Sequence, residues 1–332
     1  MGSLLFQKMN LKGLELKNRI VMPPMANGKA KSNGHVSEDI LDFYRQRAEN
    51  GLGLVIVEHC FVNERGKAHE GQLGIHDDHV MEGLIALAKT IKETGSLAVA
   101  QISHAGSQVT SDEAHDTPLS ASAVLHPVME EAPLPEKMSL QEIQDLVEDF
   151  RKAAIRAKKA GFDGVEIHGA HGYLLNQFYS PLTNQRDDEY GGSRKSRLAL
   201  SLEITAQIRH AVGKDYPVLY RLGAVDGIKE GLVLEDGVYA AMRLEKEGID
   251  LLDVSGGMKG SRAGRSGAGY FEFASSAVKE KVSVPVLVTG GITEPKEAER
   301  ILENKSADLI GVGRALLKDP FWAKKARSEL ED

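Results

Sequence analysis

The sequence predicts an α/β protein built as a (β/α)8 TIM barrel, one domain spanning residues 1–332. Three observations predict it: eight short runs rich in Val, Ile and Leu, helix-period segments between them, and no dinucleotide-binding fingerprint. The runs are Arg19–Met22, Leu54–Glu58, Leu97–Ile102, Gly164–His168, Pro217–Arg221, Asp250–Ser255, Pro285–Thr289 and Asp308–Val312. Within them apolar residues occupy successive positions, as in parallel strands buried on both faces.

Ahead of the first strand, Phe6–Lys17 reads as a short hairpin closing the bottom of the barrel. The clearest helix opens at Ser139-Leu-Gln-Glu142, a capping box in which the Ser and Glu side chains satisfy each other's backbone N–H groups. Its stripe of Ile143, Leu146, Val147, Phe150, Ala154 and Ala157 has the spacing of one buried helix face. Val80–Lys92, Leu198–Ala211, Gly237–Glu247, Tyr270–Lys279 and Glu294–Glu303 read as further helices, the last with Pro295 in its first turn, where a missing N–H costs little. Ala160-Gly-Phe-Asp-Gly164 and Glu247-Gly-Ile-Asp250 put a glycine stop between helix and strand. A doubly wound open sheet would want Gly-x-Gly-x-x-Gly after an early strand. Gly51-Leu-Gly53 precedes its strand and lacks the third glycine.

Composition narrows the function classes. The 41 Lys and Arg against 48 Asp and Glu give a net charge of −7 with no polybasic block, which argues against nucleic acid as a partner. A single cysteine, Cys60, leaves no internal disulfide and no multi-cysteine zinc or iron–sulfur site. No apolar run approaches the length of a membrane span, and Met1–Lys8 lacks a signal-peptide pattern, so a cytoplasmic protein is expected.

The long insertions Ser103–Lys137, Gly169–Arg194 and Gly256–Gly267 all follow strands, on the face where barrel active sites are built. The strand exits there present Pro23-Pro-Met-Ala26, His59, Gln101 with His104, His168 with His171 and Tyr173, Arg221, Ser255, Gly290-Gly291 and Gly313-Arg314. A lone histidine such as His59, His69 or His115 is more often a hydrogen-bonded structural residue than a functional one. Several histidines, an arginine and a tyrosine converging on one barrel mouth carry more weight. The turns Val288-Thr-Gly-Gly-Ile292 and Ile310-Gly-Val-Gly-Arg-Ala315 let backbone approach a phosphate, and Arg314 adds a fixed cation. Arg221, inside an apolar mouth, demands an anion or electron-rich ring opposite it. A flavin pyrimidine edge meets that demand, and Gln101 can hydrogen-bond to the same edge.

His168-Gly-Ala-His171 admits two readings. The pair binds a metal, with His59 or His104 added, or it donates to a substrate carbonyl oxygen while Tyr173 delivers a proton. Metal is the weaker reading: the first strand has no His-x-His, and the eighth leads into the cation Arg314. A flavin-free lyase or isomerase of a sugar phosphate is a further alternative, but Lys259 lies in a loop and no strand end offers a Schiff-base lysine. A flavin-binding barrel without turnover is the third.

The block from His168 to Ser193, His168-Gly-Ala-His-Gly-Tyr-Leu-Leu-Asn-Gln-Phe-Tyr-Ser-Pro-Leu-Thr-Asn-Gln-Arg-Asp-Asp-Glu-Tyr-Gly-Gly-Ser193, closely resembles the old yellow enzyme family of FMN-dependent ene reductases. So do Lys17-Asn-Arg-Ile20, Pro23-Pro-Met25, Gln101-Ile-Ser-His-Ala-Gly106 and Gly313-Arg-Ala-Leu-Leu-Lys-Asp-Pro320, in order from about residue 4 onward. The resemblance implies non-covalent FMN held by Pro23, Pro24, Met25, Ala26, His59 (through its backbone), Gln101, Arg221, Gly290, Gly291, Gly313 and Arg314. It implies that His168 and His171 bind the carbonyl of an α,β-unsaturated carbonyl or nitro substrate and that Tyr173 is the proton donor. NADPH or NADH would pass hydride to flavin N5, and from there it would reach the substrate's β-carbon. A homo-oligomer is implied as well. Three positions depart from the pattern. Ala26 stands where members carry Cys or Thr, and Gly28 where one branch has Tyr. The chain ends at Leu330-Glu-Asp332, where that branch has an Arg reaching the neighbouring subunit, so a more open pocket is expected.

Overall fold

The computed structural model describes residues 2–109, 116–261 and 265–331. Eight parallel strands close into a barrel in chain order: Ile20–Met22, Leu54–Phe61, Leu97–Ser103, Gly164–Gly169, Val218–Val225, Leu251–Gly256, Val286–Thr289 and Leu309–Gly311. These are the eight predicted runs, with the second extended through Phe61 and the fifth through Val225. Met9–Leu11 and Leu14–Leu16 form the hairpin, with Met9 opposite Leu16.

Side-chain alternation along the strands sorts the barrel interior into layers. At the bottom, Val21, Leu54, Ile56, Val99, Leu219, Leu251, Leu287 and Leu309 pack together under the hairpin's Leu11 and Leu16. Two positions further along their strands, on the same inward face, stand Gln101, Arg221, Asp253 and Thr289. The interior therefore changes from hydrocarbon to polar groups within one layer, and all of the chemistry sits above it. On the second strand a bulge between Val57 and Cys60 inserts an extra residue and re-aims His59 toward the mouth.

The outer ring is made of helices whose apolar faces cover the strands. Leu140–Lys159 opens with the predicted capping box, Ser139 Oγ accepting from Glu142 N at 3.2 Å and Glu142 Oε2 from Ser139 N at 2.8 Å. It buries Ile143, Leu146, Val147, Phe150 and three alanines. Glu38–Ala48, between the first two strands, escaped the periodicity reading because its buried stripe is Ile40, Tyr44, Arg47 and Ala48, with a charged residue in the middle. Arg47 lies over the Phe43 ring and donates to the carbonyls of Phe43 and Leu316, which is how the cation is accommodated. No helix among the described residues is long and apolar enough to cross a membrane.

Gly237, read from sequence as a helix start, lies inside the helix Leu234–Glu247. A Cβ there would strike the Ala224 carbonyl oxygen, so this glycine lets the helix backbone press against the fifth strand. Gly237→Ala is expected to lower the urea midpoint at unchanged m-value. Overpacking against strand backbone costs about 1–3 kcal/mol, more than the roughly 1 kcal/mol alanine gains over glycine in a helix. A raised midpoint would contradict this close approach.

Candidate active site

A cavity of about 350 Å³ opens at the C-terminal ends of the strands, within the size range of small-molecule sites. Of the cofactor residues expected from sequence, Pro24, Met25, Ala26, His59, Gln101 and Arg221 line it on one side, and Gly290, Gly291, Gly313 and Arg314 on the other. His168, His171 and Tyr173 complete the wall. Pro23 is buried behind it, 3.5 Å from where a Gly313 Cβ would stand.

The imidazoles and phenol form a compact aromatic cluster. The His168 ring lies 4.7 Å from Tyr173 and 5.2 Å from His171, centroid to centroid, while His59 lies 5.3 Å from Tyr173. His168 is inward on the fourth strand, paired in register with Arg221 on the fifth. His171 follows the strand in a left-handed conformation (φ 59°), which is strained for a non-glycine residue. It is pinned there by its N–H on the Gly256 carbonyl at 3.0 Å and by Nε2 against Ser255 Oγ at 2.7 Å. Tyr173 then caps the helix Leu174–Tyr179, which fixes the phenol beside His168.

All three imidazoles are neutral. Burial pushes His168 well below the ordinary histidine range, and His171, Arg221 and His59 push it further. Burial and the Arg221 charge do the same to His171. His59 is lowered to about 3, first by burial and then by His69 and Arg221. Its Nδ1 accepts from Gln72 Nε2 at 2.6 Å, leaving the ring hydrogen on Nε2. The His59 carbonyl accepts from the same Gln72 nitrogen at 2.9 Å, and the ring joins the cluster.

Arg221 requires a correction. Sequence reasoning treated it as an unpaired cation, but its Nε lies 3.1 Å from Asp253 Oδ2, on side chains 5% and 0% exposed. Strand register makes the pair, since Asp253 on the sixth strand is directly opposite Arg221 on the fifth. Glu166, also fully buried, accepts from Gln101 Nε2 at 2.7 Å. Neither acid was singled out from sequence, although a carboxylate on the inward face of a doubly buried strand was the available signal.

At the other end, Gly290 and Gly291 pack under Tyr270, whose ring would lie 2.8–2.9 Å from a Cβ at either position. Gly291 has φ 68°, open to glycine at no steric cost. Arg314 Nη2 donates to Tyr270 Oη at 3.3 Å, and that hydroxyl donates to the Ser261 carbonyl at 3.0 Å. The helix after Gly313, Arg314–Lys318, is only five residues long, so its dipole is small. The anion-attracting elements are therefore Arg314 and the backbone N–H groups of the turns. Arg314 is exposed, and Arg314→Ala is expected to weaken FMN binding by at most about 2 kcal/mol in an equilibrium titration, since solvent screens the contact. An undiminished affinity would remove Arg314 from the phosphate site.

Other candidates lie elsewhere. His104 is buried with Nδ1 accepting from Gly106 N at 3.0 Å, against Gly66 and away from the cavity. His69 Nδ1 faces the Glu70 carbonyl at 2.8 Å. Lys259 is exposed and does not line the cavity. His115 lies outside the described residues. A Cβ on Gly28 (φ 67°) would meet nothing within 4 Å, in keeping with an open flank beside Ala26.

This geometry can be set beside known proteins. The model of the NADH:flavin oxidoreductase / NADH oxidase family matches residues 4–332. The chain belongs to that family. Within this old yellow enzyme group it is 39% identical over 327 residues to an NADPH dehydrogenase of Bacillus licheniformis, covering 98% of the chain and 94% of the relative. It is 40% identical over 330 residues to an NADH oxidase of Thermoanaerobacter brockii, covering 97% of the chain and 50% of the relative. The chain thus spans about half the length of that longer relative. The solved structure of an old yellow enzyme homologue from Zymomonas mobilis superposes with a TM-score of 0.86 at 27% identity, covering 98% of the chain and 92% of the neighbour. FMN is the cofactor of this family, and the relatives named here are an NADPH dehydrogenase and an NADH oxidase. The residues of this chain fit FMN: glycine corners with no room for a Cβ, a cation at each end of the cavity, and buried polar atoms such as Arg221 Nε and His168 Nδ1 that lack a hydrogen bond within the protein.

Proposed function

We propose that the protein is an NAD(P)H-dependent ene reductase, acting on the C=C bond of an α,β-unsaturated carbonyl or nitro compound. The observation that carries the reading is the neutral pair His168 and His171 beside Tyr173, in the same cavity as Arg221 and the glycine corners. Gln101 and Arg221 would hold the pyrimidine edge of FMN, Pro24, Met25 and Ala26 the adjoining ring, and Gly290, Gly291, Gly313 and Arg314 the phosphate. Bound FMN supplies the hydride chemistry, accepting hydride from NAD(P)H and giving it up to carbon.

The protein's own residues do the rest. His171 Nε2 is engaged with Ser255 Oγ at 2.7 Å; in the tautomer where that hydroxyl is the donor, His171 would carry its hydrogen on Nδ1 and offer it to a substrate oxygen, with His168 supplying a second donor from the strand end. Two neutral donors polarise a carbonyl without surrendering a proton, so electron density falls at the conjugated β-carbon. The proton for the α-carbon comes from the Tyr173 hydroxyl, held on the same side by the helix it caps.

The test is anaerobic reduction of the FMN-loaded protein by NADPH or NADH, followed by oxidation with 2-cyclohexenone. Bleaching by nicotinamide and recovery with the enone are expected. Bleaching without recovery would leave a flavin protein with no ene-reductase turnover. A colourless protein that takes up no FMN would overturn the reading.

A further inference from the structure

Below the cavity lies an ionic layer that neither carbonyl binding nor proton delivery uses. Gln101 is opposite Glu166 on the third and fourth strands and Arg221 opposite Asp253 on the fifth and sixth, while Glu166 itself is opposite Leu219, one inward position below Arg221. Asp253 Oδ2 lies 3.1 Å from Arg221 Nε as an ion pair without hydrogen-bond geometry, and both carboxylate oxygens are buried without a hydrogen bond. Glu166 has Gln101 on one oxygen at 2.7 Å, and Oε1 is likewise buried and unpartnered. Two buried carboxylates thus lie in the field of one guanidinium, which is paired with Asp253 alone. The titratable groups facing the layer from above are His59, His168 and His171, all neutral. Thr289 from the seventh strand adds a hydroxyl but no charge. With both acids ionised the layer would bury an uncompensated negative charge, which is among the costliest arrangements in a protein interior.

We propose that Glu166 is a carboxylic acid at neutral pH and Asp253 the ionised partner of Arg221, so that this layer is electrically neutral and Asp253 sets how much of the Arg221 charge reaches the flavin ring. The inference rests on the placement of FMN proposed above. Burial and the neighbouring Asp253 charge raise Glu166 well above the usual carboxylate range, and burial raises Asp253 to about 6 despite Arg221. As pH falls through about 6, Asp253 takes a proton from solvent and the layer becomes positive. A positive layer favours reduced FMN, whose N1–C2=O edge is more negative than in the oxidised form. Reduced flavin in turn raises the Asp253 value, so reduction takes up this proton just above pH 6, and the midpoint potential should rise more steeply with acidity there than below pH 6. Glu166 and Asp253 are positioning residues acting through Arg221.

Infrared spectroscopy of the apoprotein at pH 7.5 is expected to show a buried carboxylic acid C=O band that disappears in Glu166→Gln. In FMN-loaded Asp253→Asn the midpoint potential should rise by at least about 30 mV, a tenfold change in the ratio of oxidised to reduced flavin, and the steepening just above pH 6 should vanish. Glu166→Gln, which keeps the neutral shape, should shift the potential by less than that. Absence of the acid band in the wild type would overturn the proposal, as would an unchanged potential in Asp253→Asn. If Asp253→Asn does not fold, the apoprotein band and its loss in Glu166→Gln still decide. Failure of the wild type to take up FMN would refute the placement of the cofactor, whereas the infrared result stands without it.

Discussion

Tyr173→Phe should slow oxidation of the NADPH-reduced protein by 2-cyclohexenone roughly 10²–10⁴-fold, the span a positioned general acid contributes. The phenol is held from two directions: its backbone carbonyl accepts from Gln177 at 2.9 Å at the start of a helix, and its ring packs 4.7 Å from His168. Removing one oxygen leaves that packing intact, so phenylalanine occupies the same space and the change is chemical rather than structural. Reduction of FMN by NADPH requires no proton from this residue and should proceed at the wild-type rate. Stopped-flow measurement of the two half-reactions separates the cases. Equal slowing of both would remove Tyr173 from proton delivery and make it a residue that shapes the pocket.

The second large effect is expected from the pair His168→Ala and His171→Ala combined. Each neutral imidazole offers one hydrogen bond worth about 1 kcal/mol net, so a para-substituted phenol that places its oxygen between them should bind about 30-fold more weakly in the double variant. Enone turnover should fall further, by about 10²–10³-fold, because the lost donors act on charge that grows at the oxygen during reaction. FMN should remain bound. Loss of the flavin in this variant would assign the two residues to the cofactor instead. Because burial holds both imidazoles well below the usual histidine pKa, this hydrogen bonding should show no step near pH 6.5. A step there would mean that one ring titrates and is better solvated than the packing shows.

Much of the site was legible because its signals are local. Gly290-Gly291 and Gly313-Arg314 announce close backbone approach by their own chemistry, and His168-Gly-Ala-His-Gly-Tyr173 carries its donors within one strand end and turn. Those residues do meet in one cavity. His104 misled because proximity in the chain to Gln101 says nothing about direction: the strand ends at Ser103, and the turn carries His104 outward against Gly66. His59 was expected to act through its backbone, and only the bulge between Val57 and Cys60, a property of the paired strands, turns its ring into the mouth. The hydrogen bond between His171 and Ser255 joins residues 84 positions apart and could not be read at all.

What the sequence determined by itself is the repeat of strand and helix, the face each element buries, and the positions where glycine admits a ligand, since hydrophobic period and backbone freedom depend on neighbours a few residues away. The electrical state of the interior was decided only by the closed barrel. Arg221 and Asp253 become partners because two strands align in one register, and Glu166 loses its water because the other seven strands close around it. Charge pairing and desolvation are properties of three-dimensional distance, and no local pattern encodes that distance.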